Sequence, residues 1–167
     1  MRITDVQLLF DYNYWATDLI LSKASELQPE QLTQATSFSF GNLMQTLIHT
    51  LDGENLWRNL CQHNILLEKR ITETVSFPTL ASLITYWKNE ETEMRQYLAR
   101  LQDADMDSLI RYTIPEGARE RVLWHCLVHV VNHGTQHRSE CAAMLTDFGH
   151  SPGGIDFTRF LNMRSSR

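Results

Sequence analysis

Apolar residues recur with the period of an α-helix along four long stretches of this 167-residue sequence, and no other feature constrains the fold as strongly. Thr4 and Thr79 precede the first and third stretches as N-caps, and Gly149 follows the fourth as a C-terminal stop. Four such helices predict an all-α fold, an antiparallel four-helix bundle. The stretches cover, approximately, residues 5–28, 41–62, 80–101 and 119–148.

The segments between these helices carry few strand signals. Residues 75–77 and 111–114 could form short extended pieces, the second of them ending at the turn Pro-Glu-Gly. After Gly149 the sequence indicates a loop and then a short C-terminal helix capped by Asp156. The chain length suits one hydrophobic core, so we expect a single domain over residues 1–167.

Composition and charge exclude several classes of protein. The sequence has no apolar run of 18 residues and no leader-like start, so we expect a cytoplasmic protein without membrane contact. Its three cysteines lack CxxC spacing, which fits a reducing compartment. A formal net charge of -5 gives no basic footprint, so we expect no nucleic-acid partner.

Four histidines follow one another at intervals of four in HCLVHVVNHGTQHRSE, residues 125–140. Successive positions drift by about 40° around a helix, so the four imidazoles cannot all reach one ion. His133 and His137 lie on either side of the centre of the apolar stripe, and this pair is best placed to face the bundle interior. His129, about 40° from His133, is second best, and His125 lies at the edge.

The spacing HxxxH allows two neutral imidazoles to bind one ion, although a hydrogen-bonded core histidine is the commoner role for a single one. The glutamate of the HExxH motif is absent, so this type of protease chemistry is not indicated. His49 in LIHTLDGENLW is a candidate third ligand, because it shares a helix face with apolar residues and Gly53 would leave room beside it. Taken alone, His49 would more readily be a core residue that is hydrogen-bonded to a backbone carbonyl group.

Several stretches together resemble the DinB-like (DinB/YfiT) superfamily of DNA-damage-inducible proteins. They are YNYWA, LIHTLDGENLW, HVVNHGTQHRSE and MLTDFGHSPGGIDFTRFL, which together extend over nearly the whole chain. The resemblance implies an up-down-down-up four-helix bundle, often dimeric, with a divalent metal held by His49, His133 and His137. The sequence departs from the family pattern at Ser139 and Glu140, where Gly-Gln is frequent.

Three histidine ligands would leave coordination positions open, as in catalytic metal sites. Zinc and nickel are the favoured ions, and iron and manganese are compatible. Glu140 is a candidate catalytic base or a carboxylate that supports a ligand; a helix-surface salt bridge with Arg138 or a neighbouring residue is an alternative with at least equal support. Cys141 could extend the ligand series, but a buried structural thiol is the favoured interpretation.

Two classes of function follow. The resemblance implies a metal-dependent enzyme, a transferase or hydrolase-like protein, such as a low-molecular-weight thiol S-transferase involved in detoxification. The alternative is a non-catalytic, metal-stabilised stress-response dimer or ligand-binding protein. Apolar residues outside the main stripes also predict a homodimer; they are Trp15, Trp124 and Val128.

Overall fold

Four long helices dominate the structure, a computed structural model in which residues 1–165 are described. The long helices are α1 (Ile3–Ala24), α3 (Leu43–His63), α5 (Leu80–Arg100) and α6 (Leu123–Asp147). The smaller elements are α2 (Pro29–Thr33), α4 (Ile71–Thr74), α7 (Phe157–Ser165), a 3-10 turn (Asp103–Asp105), and the strands β1 (Leu109–Ile114) and β2 (Gly117–Val122). The predicted helical bundle with a short C-terminal helix is confirmed.

Contacts between α3 and α5 show that these two helices run in the same direction. Asn55 of α3 donates to Glu90 of α5 at 2.8 Å. Further along both helices, the hydroxyl of Tyr97 donates to the carbonyl oxygen of Cys61 at 3.0 Å. The connection between α3 and α5, which contains α4, therefore returns along the length of the bundle.

Ion pairs between α1 and α5 show that these helices run in opposite directions. Lys88 binds Asp18 at 2.5 Å, whereas Arg95, later on α5, binds the earlier residue Asp11 at 2.7 Å. Helix α6 also runs opposite to α3, since the later α6 residues contact the earlier α3 residues. The four long helices thus have the up-down-down-up order.

The observed caps confirm two predicted helix starts and show that a third was wrong by two residues. Thr79 caps α5 by accepting the N–H of Ser82 at 3.2 Å, as predicted. Asp156 accepts the N–H of Arg159 at 3.0 Å at the start of α7, also as predicted. Helix α1 begins two residues earlier than expected, with Arg2 at its N-cap in place of Thr4.

The prediction that the fourth helix begins near Arg119 was wrong, because residues 119–122 belong to a β-hairpin. Strands β1 and β2 pair antiparallel, with Arg111 opposite Glu120 and Tyr112 opposite Arg119. Pro115 and Glu116 form the turn between them, and Gly117, at a φ of 116°, begins β2 directly after the turn. Helix α6 then starts directly after β2. Residues 75–77 form no strand in the described part of the chain, although Val75 is extended.

The core of the bundle has two apolar parts with polar residues between them. One part surrounds Phe10 and Leu127, and the other surrounds Ile20 and Leu83. The buried polar and charged side chains are Asn13, Thr17, Thr46, Thr50, Asp52, Glu54, Asn55, Arg58, Glu90, His137 and Arg138. Among the described residues, no helix is both long and apolar enough to span a membrane.

Candidate functional site

Three imidazoles from two helices meet at the face where α3 packs against α6. One nitrogen of His49, one of His133 and one of His137 all lie within 4.8 Å of one another. The Nε2 atoms of His49 and His133 are 3.1 Å apart. Two nitrogens sharing a tetrahedral ion at bond lengths of about 2.0 to 2.1 Å would be about 3.4 Å apart, so this pair already has the separation of two ligands of one metal.

Gly53, one turn after His49 on α3, provides the space for the imidazole of His133. A Cβ atom at position 53 would lie 2.6 Å from Cε1 of His133 and 3.0 Å from its Nδ1. Contacts this short do not occur between real side chains, so the ring of His133 occupies the volume that any other residue at 53 would need. The sequence had indicated room beside His49; the structure fills that room with His133.

Phe40, from the loop before α3, covers the other side of the cluster. Its ring stacks on His49 with centroids 3.8 Å apart and an interplanar angle of 19°. It also meets His137 edge-on at 5.3 Å. Sequence reasoning missed this residue, and the aromatic ring two residues before the N-cap Asn42 was the available signal. Phe40 limits the orientations open to two of the three imidazoles.

The surroundings of His49 and His133 favour the neutral form of these two imidazoles. Burial and the nearby imidazoles of His137 and His49 together lower the pKa of His133 to about 4. Burial, followed by the charge of His137, also lowers the pKa of His49. Neutral imidazoles keep the lone pairs that bind metal, so near neutral pH these two rings are in the protonation state that a ligand requires.

Glu140 supports the third imidazole. Its Oε2 atom lies 2.8 Å from Nδ1 of His137, one turn earlier on α6. A carboxylate in this position accepts a hydrogen bond from Nδ1–H and leaves the Nε2 lone pair free to bind a metal ion. This is the usual arrangement behind metal-binding histidines. Glu140 forms no salt bridge with Arg138, because the Arg138 side chain points toward α1 and donates to Asn13.

The remaining histidines and Cys141 lie outside the cluster. His125 and His129 are exposed on α6, although the ring of His129 is only 5.9 Å from that of His133. His63 is exposed, and His150 is bonded to Glu26 at 3.0 Å. Cys141 is buried, and burial raises the pKa of its thiol, as fits the structural thiol favoured from the sequence.

A buried carboxyl group lies deeper in the bundle and was missed from the sequence. Glu54 accepts a hydrogen bond from the hydroxyl of Tyr14, and both side chains are buried. Burial raises the pKa of Glu54 to about 7. Glu54 follows Gly53 on α3, the helix that also carries His49.

Fold and site together define a class, the four-helix bundles whose histidines from two helices form a candidate metal centre. The sequence pattern of the DinB family matches residues 2–167. The chain therefore belongs to the DinB family. It is similar to Protein DinB of Bacillus subtilis (strain 168), with 26% identity over 159 residues that cover 93% of this chain and 92% of that protein.

Proposed function

We propose that the chain binds one divalent transition metal through His49, His133 and His137 and uses it in an enzymatic reaction on a small molecule. The observation that carries this proposal is the convergence of three imidazole nitrogens within 4.8 Å, two of them on rings whose pKa is lowered by burial. Zinc and nickel suit three imidazole ligands best, and iron and manganese are compatible with them.

The residues around the cluster have separate tasks in this proposal. Gly53 leaves the volume that His133 occupies, and Glu140 holds the ring of His137 with Nε2 directed away from the carboxylate. Glu140 thereby acts as a positioning residue in addition to being the candidate base. Three protein ligands leave coordination positions open, and a divalent ion lowers the pKa of a water or thiol that it binds.

The reaction class proposed is transfer involving a low-molecular-weight thiol, a detoxification chemistry in the cytoplasm. Metal-activated thiols and waters both suit such a site, which leaves a hydrolase-like reaction as the nearest variant. The proposal includes neither a nucleic-acid nor a membrane partner, in keeping with the net charge of -5.

A non-catalytic role is the second candidate, because the cluster joins α3 to α6 and an ion there would fasten the two helices. In this version the protein is a metal-stabilised stress-response homodimer or a ligand-binding protein. Trp15, Trp124 and Val128 are all half-buried, and their remaining exposed apolar surface supports self-association. The ring of Trp15 also lies 5.6 Å from that of Phe160 of α7. Light scattering at micromolar concentration distinguishes a dimer from a monomer.

Metal analysis of protein purified without an affinity tag tests the first step of the proposal. We expect about one ion per chain, lost in His133→Ala. The second step is a screen of several low-molecular-weight thiols against a set of electrophiles, with metal-loaded, chelator-treated and His133→Ala protein compared. Turnover only with the loaded wild type supports an enzyme; a loaded protein that is inert in the whole screen and dimeric supports the second candidate.

A further inference from the structure

A cavity of about 350 Å³ lies beside the three-histidine cluster, between the β-hairpin and the helices α3 and α6. It is lined by Trp57, Tyr112, Arg121, His125, Cys126 and His129. The function proposed above assigns no role to any of these residues. Their chemistry is distinctive, because aromatic rings and nitrogen cations or bases make up most of the wall.

The cavity is next to the candidate metal centre, because His129 in its wall neighbours His133 of the cluster. The ring of His129 lies 5.9 Å from that of His133 and 4.8 Å from that of Trp57. His125 follows one turn further from the cluster, two turns from His133. At a rise of about 1.5 Å per residue, His125 is about 12 Å from His133 along α6.

The hairpin turns one face toward this cavity. Ile110, Tyr112, Arg119 and Arg121 share that face, because Ile110 is opposite Arg121 and Tyr112 is opposite Arg119 in the strand register. Ile110 is buried, so the shared face is the inner one. The ring of Tyr112 meets Trp57 of α3 edge-on at 6.2 Å, which closes this side of the cavity.

The inner wall carries positive charge without a matching carboxylate. Among the described residues that line the cavity, none is acidic. Arg121 donates one N–H to the carbonyl oxygen of Glu120 at 2.8 Å, and in the described part of the chain its guanidinium makes no ion pair. Arg111, on the outer face of the same hairpin, is instead paired with the Glu120 carboxylate at 2.8 Å.

The positive charge of Arg121 also affects the thiol of Cys126 in the cavity wall. Its pKa is lowered, first by hydrogen bonding with Cys61 and then by the positive charge of Arg121. A cation that stabilises a thiolate in the cavity wall would also stabilise a carboxylate that enters the cavity.

We propose that this cavity binds the carboxylate end of a small-molecule substrate, with Arg121 as the anionic anchor and Trp57 as the surface for an adjoining apolar or planar group. The inference rests on the proposed function, since it places the reactive end of that substrate at the three histidines. His125, which lines the cavity together with Arg121, lies about 12 Å along α6 from His133, so a molecule that reaches from the cavity to the cluster has roughly dipeptide to tripeptide length and carries a carboxylate at its cavity end.

Binding of 3-phenylpropanoate and of its neutral isostere 3-phenylpropanamide to the full chain tests the proposal. The protein is used after chelator treatment, so that coordination of the carboxylate to a metal cannot contribute. We expect the carboxylate to shift the indole N–H resonance of Trp57 in NMR spectra and to bind about tenfold more tightly than the amide, as loss of a charge-assisted contact predicts. Arg121→Gln should reduce carboxylate binding to the level of the amide.

Arg111→Gln is the matched control, because it removes the same charge from the outer face of the same hairpin. It should leave carboxylate binding unchanged. Equal binding of acid and amide to the wild type, or equal losses in the two arginine variants, overturns the proposal. Metal content measured on the same proteins before chelator treatment separates the proposed function from the carboxylate-binding proposal. An empty metal centre contradicts the proposed function. Carboxylate binding by the chelator-treated chain does not depend on a bound metal and tests the cavity alone.

Discussion

Gly53 and His133 are complementary: the imidazole of His133 occupies the volume in which a Cβ on residue 53 would lie, at 2.6 Å from Cε1. The two residues belong to different helices, so the contact fixes how closely α3 and α6 approach at the candidate metal centre. A glycine in a helix interior costs about 1 kcal/mol relative to alanine. At position 53 this cost is offset by the space that glycine leaves for the imidazole of His133.

Gly53→Ala should therefore weaken metal binding and lower the free energy of unfolding, although alanine is the better helix former. The methyl group must displace the His133 ring. Urea unfolding and metal titration measure the two effects. In a His133→Ala background the same change should stabilise the protein by up to about 1 kcal/mol, as helix propensity predicts. Stabilisation of the same size in the wild type would show that the contact has no consequence.

Alanine substitutions of the histidines should divide into two groups by metal content. His49→Ala, His133→Ala and His137→Ala each leave only two of the three clustered nitrogens and should empty the site. His125→Ala and His129→Ala should retain metal, because both side chains are exposed outside the cluster. Elemental analysis of untagged protein is the measurement. A full site in His137→Ala with an empty one in His129→Ala would mean that the wrong pair has been chosen.

Metal affinity should fall as the pH is lowered, because protons compete with the ion for the imidazole lone pairs. Free imidazole takes up its proton near pH 6.5. Burial lowers the pKa of His49, and lowers that of His133 to about 4, so competition at these two rings begins at a lower pH than in a free peptide. Dissociation constants measured between pH 4 and 8 give the profile. Affinity that rises on acidification would contradict histidine ligation.

Glu140→Gln should weaken metal binding about 10- to 100-fold, the usual cost of losing a carboxylate behind a ligating histidine. The amide keeps the size of the side chain but loses the charge that holds the Nδ1 proton of His137. Ser139→Ala is the control, since Ser139 is the exposed neighbour. If Glu140→Gln binds metal normally and loses only turnover, Glu140 acts as a base and has no part in positioning His137.

Glu54→Gln should stabilise the protein increasingly as the pH rises. The pKa of Glu54 is raised to about 7 in the folded protein, so folding favours its protonated form. Its contribution is fully present below the unfolded pKa and is lost as the pH rises through about 7, at no more than about 1.4 kcal/mol per pH unit. Urea unfolding of both proteins at pH 5, 6, 7 and 8 gives the difference. A difference that is constant over this range would mean that Glu54 does not titrate there.

The sequence predicted the bundle and the positions of its histidines because both depend on helix periodicity. His133 and His137 face α3 since they lie at the centre of the apolar stripe, and His49 faces α6 for the same reason. Whether these residues bind metal remains a prediction. The angular positions of residues around each helix were sufficient to predict which histidines face the neighbouring helix, because helices in a bundle present their apolar faces to one another.

Other features depend on contacts that single-helix periodicity cannot reveal. Arg138 lies beside His137 in sequence and reads as a surface residue, yet it is buried against Asn13 on a helix 125 residues earlier. Residues 119–122 contain only charged residues and a valine, a composition compatible with either helix or strand. They form a strand because they pair with β1, and the turn just before Gly117 brings the two strands together.

Residues adjacent in sequence hold helix α6 on two sides, and this determines how its clustered histidines are oriented. Successive helix residues point about 100° apart, so His137 reaches toward α3 while Arg138 reaches toward α1. Gly134 leaves room for Arg138, as a Cβ there would lie 2.6 Å from its Nη1 atom. Any change at Asn13 that rotates α6 about its own axis must therefore also swing the imidazoles on its other side. Helix α1 contributes no nitrogen to the cluster, yet it sets the angle at which two of the three are presented.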